Sequence, residues 1–357
     1  MTTFAHQATE ALPLIQDPSL WHGPDMAARQ DWIHPLNDAE VAEIDAAVDM
    51  AMQRHVDLVS MTAADFPLPT LGQRLARIRG QILHGHGFAL LRGWPSRQRS
   101  LEQSAYAFRG VGAHLGEALS QNGKGHILGH VANLGLNYSD PTTRGYQTTA
   151  ELRYHCDAGD IVGLLCVQPA RSGGLSKICS STAVWNEMVQ RRPDLAKELL
   201  KAVAHSRWGE IGLGQKDHYV IPPFHLHKGR LVVVFILGAI FKAEALPGVE
   251  PLSDEQRAAL LMVNEIADEP GIRLDMDFKP GDMQFLCNHT TLHSRTAYED
   301  WPELENRRHL LRIWLACEDG PDLPDYISQE FQGRTSSGRP NGINVPGVPL
   351  TAPLLPV

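Results

Sequence analysis

The sequence lacks the cysteine pattern of a disulfide-stapled or zinc-knuckle protein. Its five cysteines are an odd number, and no two of them have Cys-x-x-Cys spacing. We therefore do not expect a disulfide framework or a zinc knuckle. We expect reduced thiols and a cytoplasmic location, because cytoplasmic proteins keep their cysteines reduced.

Long hydrophobic runs are also missing. The most apolar stretch, LVVVFILGAIF at residues 231–241, has eleven residues, whereas a membrane-spanning helix needs about 20. Its β-branched and aromatic residues favour one or two buried strands. The N-terminus has no basic start followed by an apolar run, so we expect neither a secretory signal nor a membrane partner.

Positive charge is the scarcer sign. The chain has 32 Lys and Arg residues against 41 Asp and Glu residues, a net charge of −9, and no basic cluster. This composition does not favour a nucleic-acid partner. With 357 residues, 43% of them apolar, the chain can bury a substantial core. We expect a small-molecule partner, and the sequence leaves a homo-oligomer open.

Helical patterns dominate the first third of the chain, and short apolar runs between Gly, Asp and Pro turns follow after about residue 125. The runs predict a β-sandwich or barrel. We expect one domain over residues 1–333, with N-terminal helices on a β core that begins near residue 85. The Pro- and Gly-rich tail, 334–357, should be extended. Helices are predicted at 36–55, 71–87, 100–119, 182–202 and 253–268, and a strand at 88–93.

The stretch RYHCDAGD, residues 153–160, contains the first candidate site. His155 and Asp157 are separated by one residue, so on an extended segment both side chains point to the same side while Cys156 points away. A helix cap, a loop hydrogen bond, a triad fragment or a metal site would all fit this pair.

A third ligand is expected within FKPGDMQFLCNHTTLHSRTAYED, residues 278–300. Pro-Gly-Asp predicts a tight turn before a strand, and Asn288 and His293 follow that strand. Two histidines and one carboxylate form the facial triad of non-haem Fe(II) oxygenases, which leaves positions open for a chelating cosubstrate and O₂. The sequence thus predicts an iron site made by His155, Asp157 and His293.

Two arginines interrupt an otherwise apolar strand pattern, ENRRHLLRIWLA at residues 305–316. A charge in that setting is costly unless it meets an opposite charge. Because the guanidinium of Arg308 suits a two-point grip on a carboxylate, the distal carboxylate of 2-oxoglutarate is an apt partner. A surface ion pair with Glu303 or Glu305 is the alternative.

Taken together, four pieces of the sequence resemble the TauD/TfdA family of Fe(II)- and 2-oxoglutarate-dependent dioxygenases. They cover about residues 85–316 in the family's order. The resemblance implies a mostly β fold with helical buttresses, a double-stranded β-helix of the jelly-roll, cupin-like kind. The pieces are the His-x-Asp at 155–157, SGGLSKI at 172–178, the PGD…N…H block at 280–293 and RRHLLR at 307–312.

The resemblance also implies a role for each matching residue. His155, Asp157 and His293 would hold Fe(II) and support catalysis with O₂. Arg308 would bind the 5-carboxylate of the cosubstrate 2-oxoglutarate. Ser176 would help it, since a hydroxyl stands where the family usually has a threonine.

Arg312 and Asn288 are the candidates for contact with the substrate. The apolar stretch 231–241 stands where relatives that act on small anions often carry polar residues, so a taurine-like substrate is not expected. We expect a small or mid-sized organic molecule with an apolar portion and one anionic group facing Arg312. Its C–H bond would be hydroxylated, with release of succinate and CO₂.

Two other kinds of function remain open. A zinc-dependent hydrolase or a cupin-like isomerase could use the same three ligands, and a 2-oxoglutarate-binding sensor could keep Arg308 without turnover. Arg308 and the order of the four motifs favour the oxygenase.

Overall fold

The structure, a computed structural model, describes residues 11–356 apart from 138, 139, 141, 142, 213 and 331–333, and without the side chains of 328–330. The domain boundary predicted at residue 333 lies outside the described residues. No helix in the described part of the chain has the length and apolarity needed to cross a membrane.

Helices and strands alternate along most of the described chain. The helices are α1 (Gly23–Arg29), α2 (Asp38–Gln53), α3 (Leu71–His84), α4 (Leu101–Ala113), α5 (Ser181–Arg191), α6 (Pro193–Glu198), α7 (Leu237–Ala243), α8 (Asp254–Ala267) and α9 (Asp325–Glu330). The strands are β1 (Ile33–Pro35), β2 (Phe88–Arg92), β3 (Glu117–Leu119), β4 (Gly129–Ala132), β5 (Leu152–His155), β6 (Ile161–Gln168), β7 (Ser172–Gly173), β8 (Ser176–Ser180), β9 (Val203–Ser206), β10 (His218–Ile221), β11 (Phe224–His227), β12 (Arg230–Val233), β13 (Arg273–Met276), β14 (Met283–Cys287), β15 (Thr291–Arg295), β16 (Tyr298–Glu299) and β17 (His309–Ala316).

Two sheets form the centre of the molecule. The larger one has seven strands in the order β1-β2-β14-β6-β17-β3, with β4 also paired to β17. The smaller one has four strands in the order β13-β8-β15-β5. Neighbouring strands in both sheets are distant in sequence, so long-range pairing brings the motifs of the two halves of the chain together.

Alternation along β17 explains which side chains face the space between the sheets. Leu311 and Ile313 pack outward in a cluster with helices α2, α3 and α4. Trp314 points the other way, into an inner apolar layer that also contains Ile178 of the smaller sheet. Because side chains two residues apart share a face of a strand, Arg312 lies on the same inner face as Trp314.

Helices also cover the outer face of the smaller sheet. Trp185 of α5 and Val263 of α8 are fully buried in one cluster with Leu292 of β15. An apolar outer sheet face needs such a cover. The helices together contain more residues than the strands, so the prediction of a mostly β chain is not confirmed and the described residues form a mixed α and β architecture.

Local sequence signals account for several element boundaries. The side chain of Asn37 accepts a hydrogen bond from the Glu40 backbone amide and caps α2. Pro193 divides the single helix predicted at 182–202 into α5 and α6, because proline cannot continue a helix interior. The stretch 231–241, predicted as strands, contains the end of β12 and the start of α7.

Candidate metal and cosubstrate site

The structure brings His155, Asp157 and His293 together. His155 at the end of β5 and His293 in β15 are directly paired across neighbouring antiparallel strands. Their ring centroids lie 4.2 Å apart, and Nε2 of His293 lies 3.7 Å from Oδ2 of Asp157. One ligand atom from each residue falls within 4.8 Å of the other two, close enough for all three to hold one metal ion.

Hydrogen bonds hold the side chain of His155 and the backbone of Asp157. Nδ1 of His155 lies 2.8 Å from the carbonyl oxygen of Arg153, which favours a proton on Nδ1 and leaves the Nε2 lone pair for a metal. The Asp157 amide donates to Oδ1 of Asn288 at 2.9 Å. Oδ2 of Asp157 is buried and has no hydrogen-bond partner in the described part of the chain, as expected of a carboxylate oxygen that serves as a ligand.

The protonation states suit metal binding. Burial, with the neighbouring His155, lowers the pKa of His293 to about 3, and burial also lowers the pKa of His155. Burial by itself would raise the pKa of Asp157, but Arg312 and the two histidines outweigh it and hold that pKa below its usual value. Near neutral pH the site therefore offers two neutral imidazoles and one carboxylate, the forms that bind metals.

Arg308 is a buried cation without a carboxylate partner among the described residues. It is 4% exposed, its Nη1 has no hydrogen-bond partner, and its guanidinium lies 5.1 Å from the centre of the Tyr298 ring. The alternative of a surface ion pair with Glu303 or Glu305 does not fit this burial. An unpaired buried cation is costly, so this position fits an anionic ligand.

Arg295 is a second buried arginine here, and the sequence analysis missed it. It is 4% exposed and lies over the same Tyr298 ring at 4.6 Å. Burial and the charge of Arg308 lower its pKa to about 10. The spacing between His293 and Arg295 could have identified it, because two residues that are two positions apart in a strand share one face of that strand. Ser176, paired with Arg295 across the sheet, lines a cavity that is also lined by Arg295, Arg308 and the three candidate ligands.

Arg312 lies beside the metal site and is already partnered. Its Nε donates to Oε1 of Gln121 at 2.7 Å, and its Nη1 lies 3.5 Å from Oδ1 of Asp157. The amide of Gln121 returns a hydrogen bond to the Arg312 carbonyl at 2.8 Å. The expectation that Arg312 needs a substrate anion as its partner is therefore wrong, because protein groups meet its charge.

Asn288 does not contact the cavity, which corrects its prediction as a substrate-binding residue. Its side-chain oxygen accepts from the Asp157 amide, and its side-chain nitrogen donates to the Gly159 carbonyl at 3.0 Å. It is 1% exposed. Both ends of the amide are used to hold the loop that carries Asp157, so Asn288 positions a candidate ligand.

A cavity of about 390 Å³ opens beside the three candidate ligands. Ile236, Leu237 and Phe241, from the second half of the apolar stretch, line it, whereas Leu231–Phe235 do not. Cations outnumber acids in its lining. The cationic residues are Arg144, Arg153, Arg207, Lys242, Arg295, Arg308 and Arg312, and the acidic ones are Asp157 and Glu210.

Residues 54–314 match the Taurine catabolism dioxygenase TauD, TfdA family. The chain belongs to this family. Among its TauD/TfdA relatives, FR-33289 synthase from Streptomyces rubellomurinus is 31% identical over 90% of this chain and 96% of its own. The taurine hydroxylase-like protein SAT17 from Stachybotrys chartarum is 28% identical over 92% of this chain and 87% of its own.

Solved structures show the same fold for this TauD/TfdA member. Asparagine oxygenase in complex with Fe(II), 3-hydroxyasparagine and succinate superimposes with a TM-score of 0.63. The match covers 86% of this chain and 98% of that protein, at 16% sequence identity. The fold is thus retained where most side chains differ.

Proposed function

We propose that this chain is an Fe(II)- and 2-oxoglutarate-dependent dioxygenase that hydroxylates a C–H bond of a small organic metabolite and releases succinate and CO₂. The observation that carries the proposal is the convergence of His155, Asp157 and His293 in one cavity with Arg308, in a member of a dioxygenase family. Arg308 is a buried arginine that has no carboxylate in ion-pair contact among the described residues. The fold behind it is best described as a double-stranded β-helix with helical buttresses.

His155, Asp157 and His293 would hold the iron. Bound there, Fe(II) supplies the redox chemistry that activates O₂ for attack on a C–H bond, which zinc cannot supply. The paired strands β5 and β15 fix two ligands, and Asn288 fixes the loop of the third. The protein's own contribution is a preorganised, largely buried ligand set.

Arg308 would bind the distal carboxylate of 2-oxoglutarate. Its guanidinium is buried, and a desolvated charge-assisted contact to a carboxylate is strong. The hydroxyl of Ser176, in the same cavity lining, would add a hydrogen bond. Arg295 raises the local positive charge, which further favours a dianionic cosubstrate.

The substrate is a small or mid-sized organic molecule with an apolar portion and an anionic group. Ile236, Leu237 and Phe241 supply an apolar wall, which favours ligands that lose hydrated apolar surface on binding. The anionic group rests on the cationic excess of the lining. The excess remains when Arg144 is counted with its partner Glu210 and Arg312 with Asp157.

The remaining inferences concern the setting of the enzyme. We infer a single domain for residues 1–333, followed by the tail 334–357, and a cytoplasmic location. The described cysteines are all buried and free, as in a reducing compartment. We propose a small-molecule partner and neither nucleic acid nor membrane, and a homo-oligomer remains open.

Substrate-dependent formation of succinate tests the proposal. The purified chain, reconstituted anaerobically with Fe(II), would be screened against anionic metabolites in the presence of 2-oxoglutarate and O₂. We expect succinate release that rises with one class of metabolite. A zinc hydrolase would act without O₂, and a sensor would bind 2-oxoglutarate without releasing succinate.

A further inference from the structure

The C-terminal tail reaches the loop that carries Asp157. We call residues 339–343 the strap. Its Arg339 donates from Nε to Oδ2 of Asp160 at 2.9 Å, and its Nη2 donates to the other oxygen of the same carboxylate. Asp160 is 1% exposed and lies three residues after Asp157. The tail thus supplies the counter-charge of a buried acid next to the candidate metal site.

Asp160 connects Arg339 to the residues that hold Asp157. The backbone carbonyl of Asp160 accepts a hydrogen bond from the backbone N–H of Asn288 at 3.0 Å. The side-chain oxygen of Asn288 in turn accepts a hydrogen bond from the backbone N–H of Asp157 at 2.9 Å. The Asp160 carboxylate also accepts from the Cys317 amide and from His289, both at 2.8 Å. A short hydrogen-bonded route therefore runs from the tail to a candidate ligand.

The rest of the strap packs around the same loop. Pro340 borders a small second cavity together with Asp157. Gly342 has a φ of +58°, and a Cβ there would lie 2.5 Å from the Ser120 carbonyl oxygen and 3.6 Å from that of Ala158. Ile343 lines the main cavity. The strap thus contacts the loop of Asp157 on more than one side.

The tail is also anchored beyond the strap. The Ile343 amide donates to the Ser120 carbonyl at 2.9 Å. Farther on, Thr351 exchanges backbone hydrogen bonds with Gly125 and Ile127 at 2.8 and 2.9 Å. The tail is therefore held at two points after Gly342 against the residues before β4.

We propose that Arg339 is a positioning residue of the active site, which holds the Asp157 loop in its metal-binding geometry through Asp160. This inference rests on the proposed function, since it takes Asp157 as a metal ligand. Removal of Arg339 leaves the buried Asp160 carboxylate without the positive charge of its arginine partner. The loop should then relax, and the three ligand atoms should move away from the positions in which they can bind one ion. The C-terminal tail would then contribute to metal binding by holding the Asp157 loop.

Titration of the full-length chain with Mn(II), an ion that binds oxygen ligands such as the Asp157 carboxylate, tests this proposal. We expect Arg339→Met to bind Mn(II) at least about tenfold more weakly than wild type, as for other outer partners of metal ligands. Arg339→Lys, which keeps the charge without the two-point grip, should fall between them. Arg334→Met, at an exposed arginine of the same tail, is the matched control and should bind like wild type.

Circular dichroism and thermal unfolding of each apo variant separate positioning from general stability. A purely structural role would lower the unfolding temperature and leave the Mn(II) affinity of the folded chain unchanged, and that result would overturn the proposal. If Arg339→Met does not fold, wild-type affinity in Arg339→Lys would overturn it instead. If wild type itself binds no Mn(II), the proposed metal function fails, which is a different outcome.

Discussion

At the residue scale, the candidate site is a set of buried charged groups, and the described residues leave some of their polar atoms without a partner. Asp157 has one oxygen without a hydrogen-bond partner, and Arg308 is buried without a carboxylate beside it among the described residues. Burial of unpaired charge opposes folding. Such residues fit the proposal that Asp157 binds a metal and Arg308 an anion.

Replacing Asp157 should remove metal binding. Asp157→Ala deletes a ligand and its charge, so we expect Mn(II) affinity to fall by more than about 100-fold, since loss of an outer partner alone costs about 10–100-fold. Calorimetric titration checks this. Asp194→Ala, at an exposed carboxylate paired with Arg192, should have no effect. Unchanged affinity in Asp157→Ala would remove this residue from the ligand set.

Arg308→Ala should weaken 2-oxoglutarate binding far more than substrate binding. Losing a buried charged contact costs about 2–5 kcal/mol, or from about thirtyfold to a few thousandfold in Kd. Arg308→Lys should rescue only in part because it lacks the fork. Anaerobic titration of the Fe(II)-loaded chain with 2-oxoglutarate measures the effect, and Arg192→Ala serves as the exposed control.

The stability of the ligand-free variants gives a second readout for Arg308. An unpaired buried cation destabilises the folded state, so Arg308→Met should be at least as stable as wild type without 2-oxoglutarate. A large loss of stability would instead mean that Arg308 serves the fold. In that case Arg295 would be the next candidate for the anion.

Residue spacing predicted much of this site, and its failures have a physical reason. The pair at 155–157 and the later His293 could be found because strand geometry fixes which side chains share a face. Asn288 was placed with the substrate because its role depends on where the Asp157 loop comes to lie, which is a tertiary contact. Gln121, the partner of Arg312, lies 191 positions away from it in sequence, and no local pattern signals such a pairing.

At the element scale, strands of the two sheets position the site residues, and turns determine where these strands begin. Arg308, just before β17, and Arg312, within β17, both line the cavity, and β15 places His293 on the facing sheet. The Pro-Gly-Asp turn before β14 was predicted because its residues have strong turn preferences. The helix α7 was missed because β-branched residues upstream of it favour strands, and burial rather than propensity decides the structure there.

Gly281 in that turn should tolerate no side chain. Its φ is +88°, and a Cβ would lie 1.6 Å from the carbonyl oxygen of Trp94. We expect Gly281→Ala to lower the free energy of unfolding by at least about 2 kcal/mol, measured by urea denaturation. Gly271→Ala, where nothing lies within 4 Å of the added Cβ, is the control. Equal stabilities of the two variants would contradict the backbone clash.

At the scale of the whole molecule, an acidic chain surrounds a cavity with a cationic lining. The net charge is −9, yet cationic residues outnumber acidic ones around the cavity. Composition alone could not reveal this separation, since it depends on which strands face inward. The amount of helix was also underestimated, because covering helices are needed on the outer faces of both sheets.

Acid should destabilise the fold through buried histidines. Burial lowers the pKa of His205 to about 4 and of His225 to about 3, whereas an unfolded histidine titrates near about 6.5. Between these values the unfolded chain binds more protons, so stability present above pH 6.5 is lost as the pH falls toward 4. Each such histidine contributes a slope of about 1.4 kcal/mol per pH unit. Urea denaturation at pH 7.5 and pH 5 measures it, and stability that does not fall toward pH 5 would contradict the burial of neutral histidines.

The most direct test of the central claim is whether 2-oxoglutarate binding depends on the metal held by the three candidate ligands. The anaerobic chain would be titrated with 2-oxoglutarate in the presence and absence of Fe(II), and then exposed to O₂ together with the metabolites of the substrate screen while succinate is measured. We predict one Fe(II) per chain, tight 2-oxoglutarate binding only with the metal, and succinate formation only after O₂ is admitted. Succinate formation at the full rate in the presence of a metal chelator, or equal 2-oxoglutarate affinity with and without Fe(II), would contradict the account.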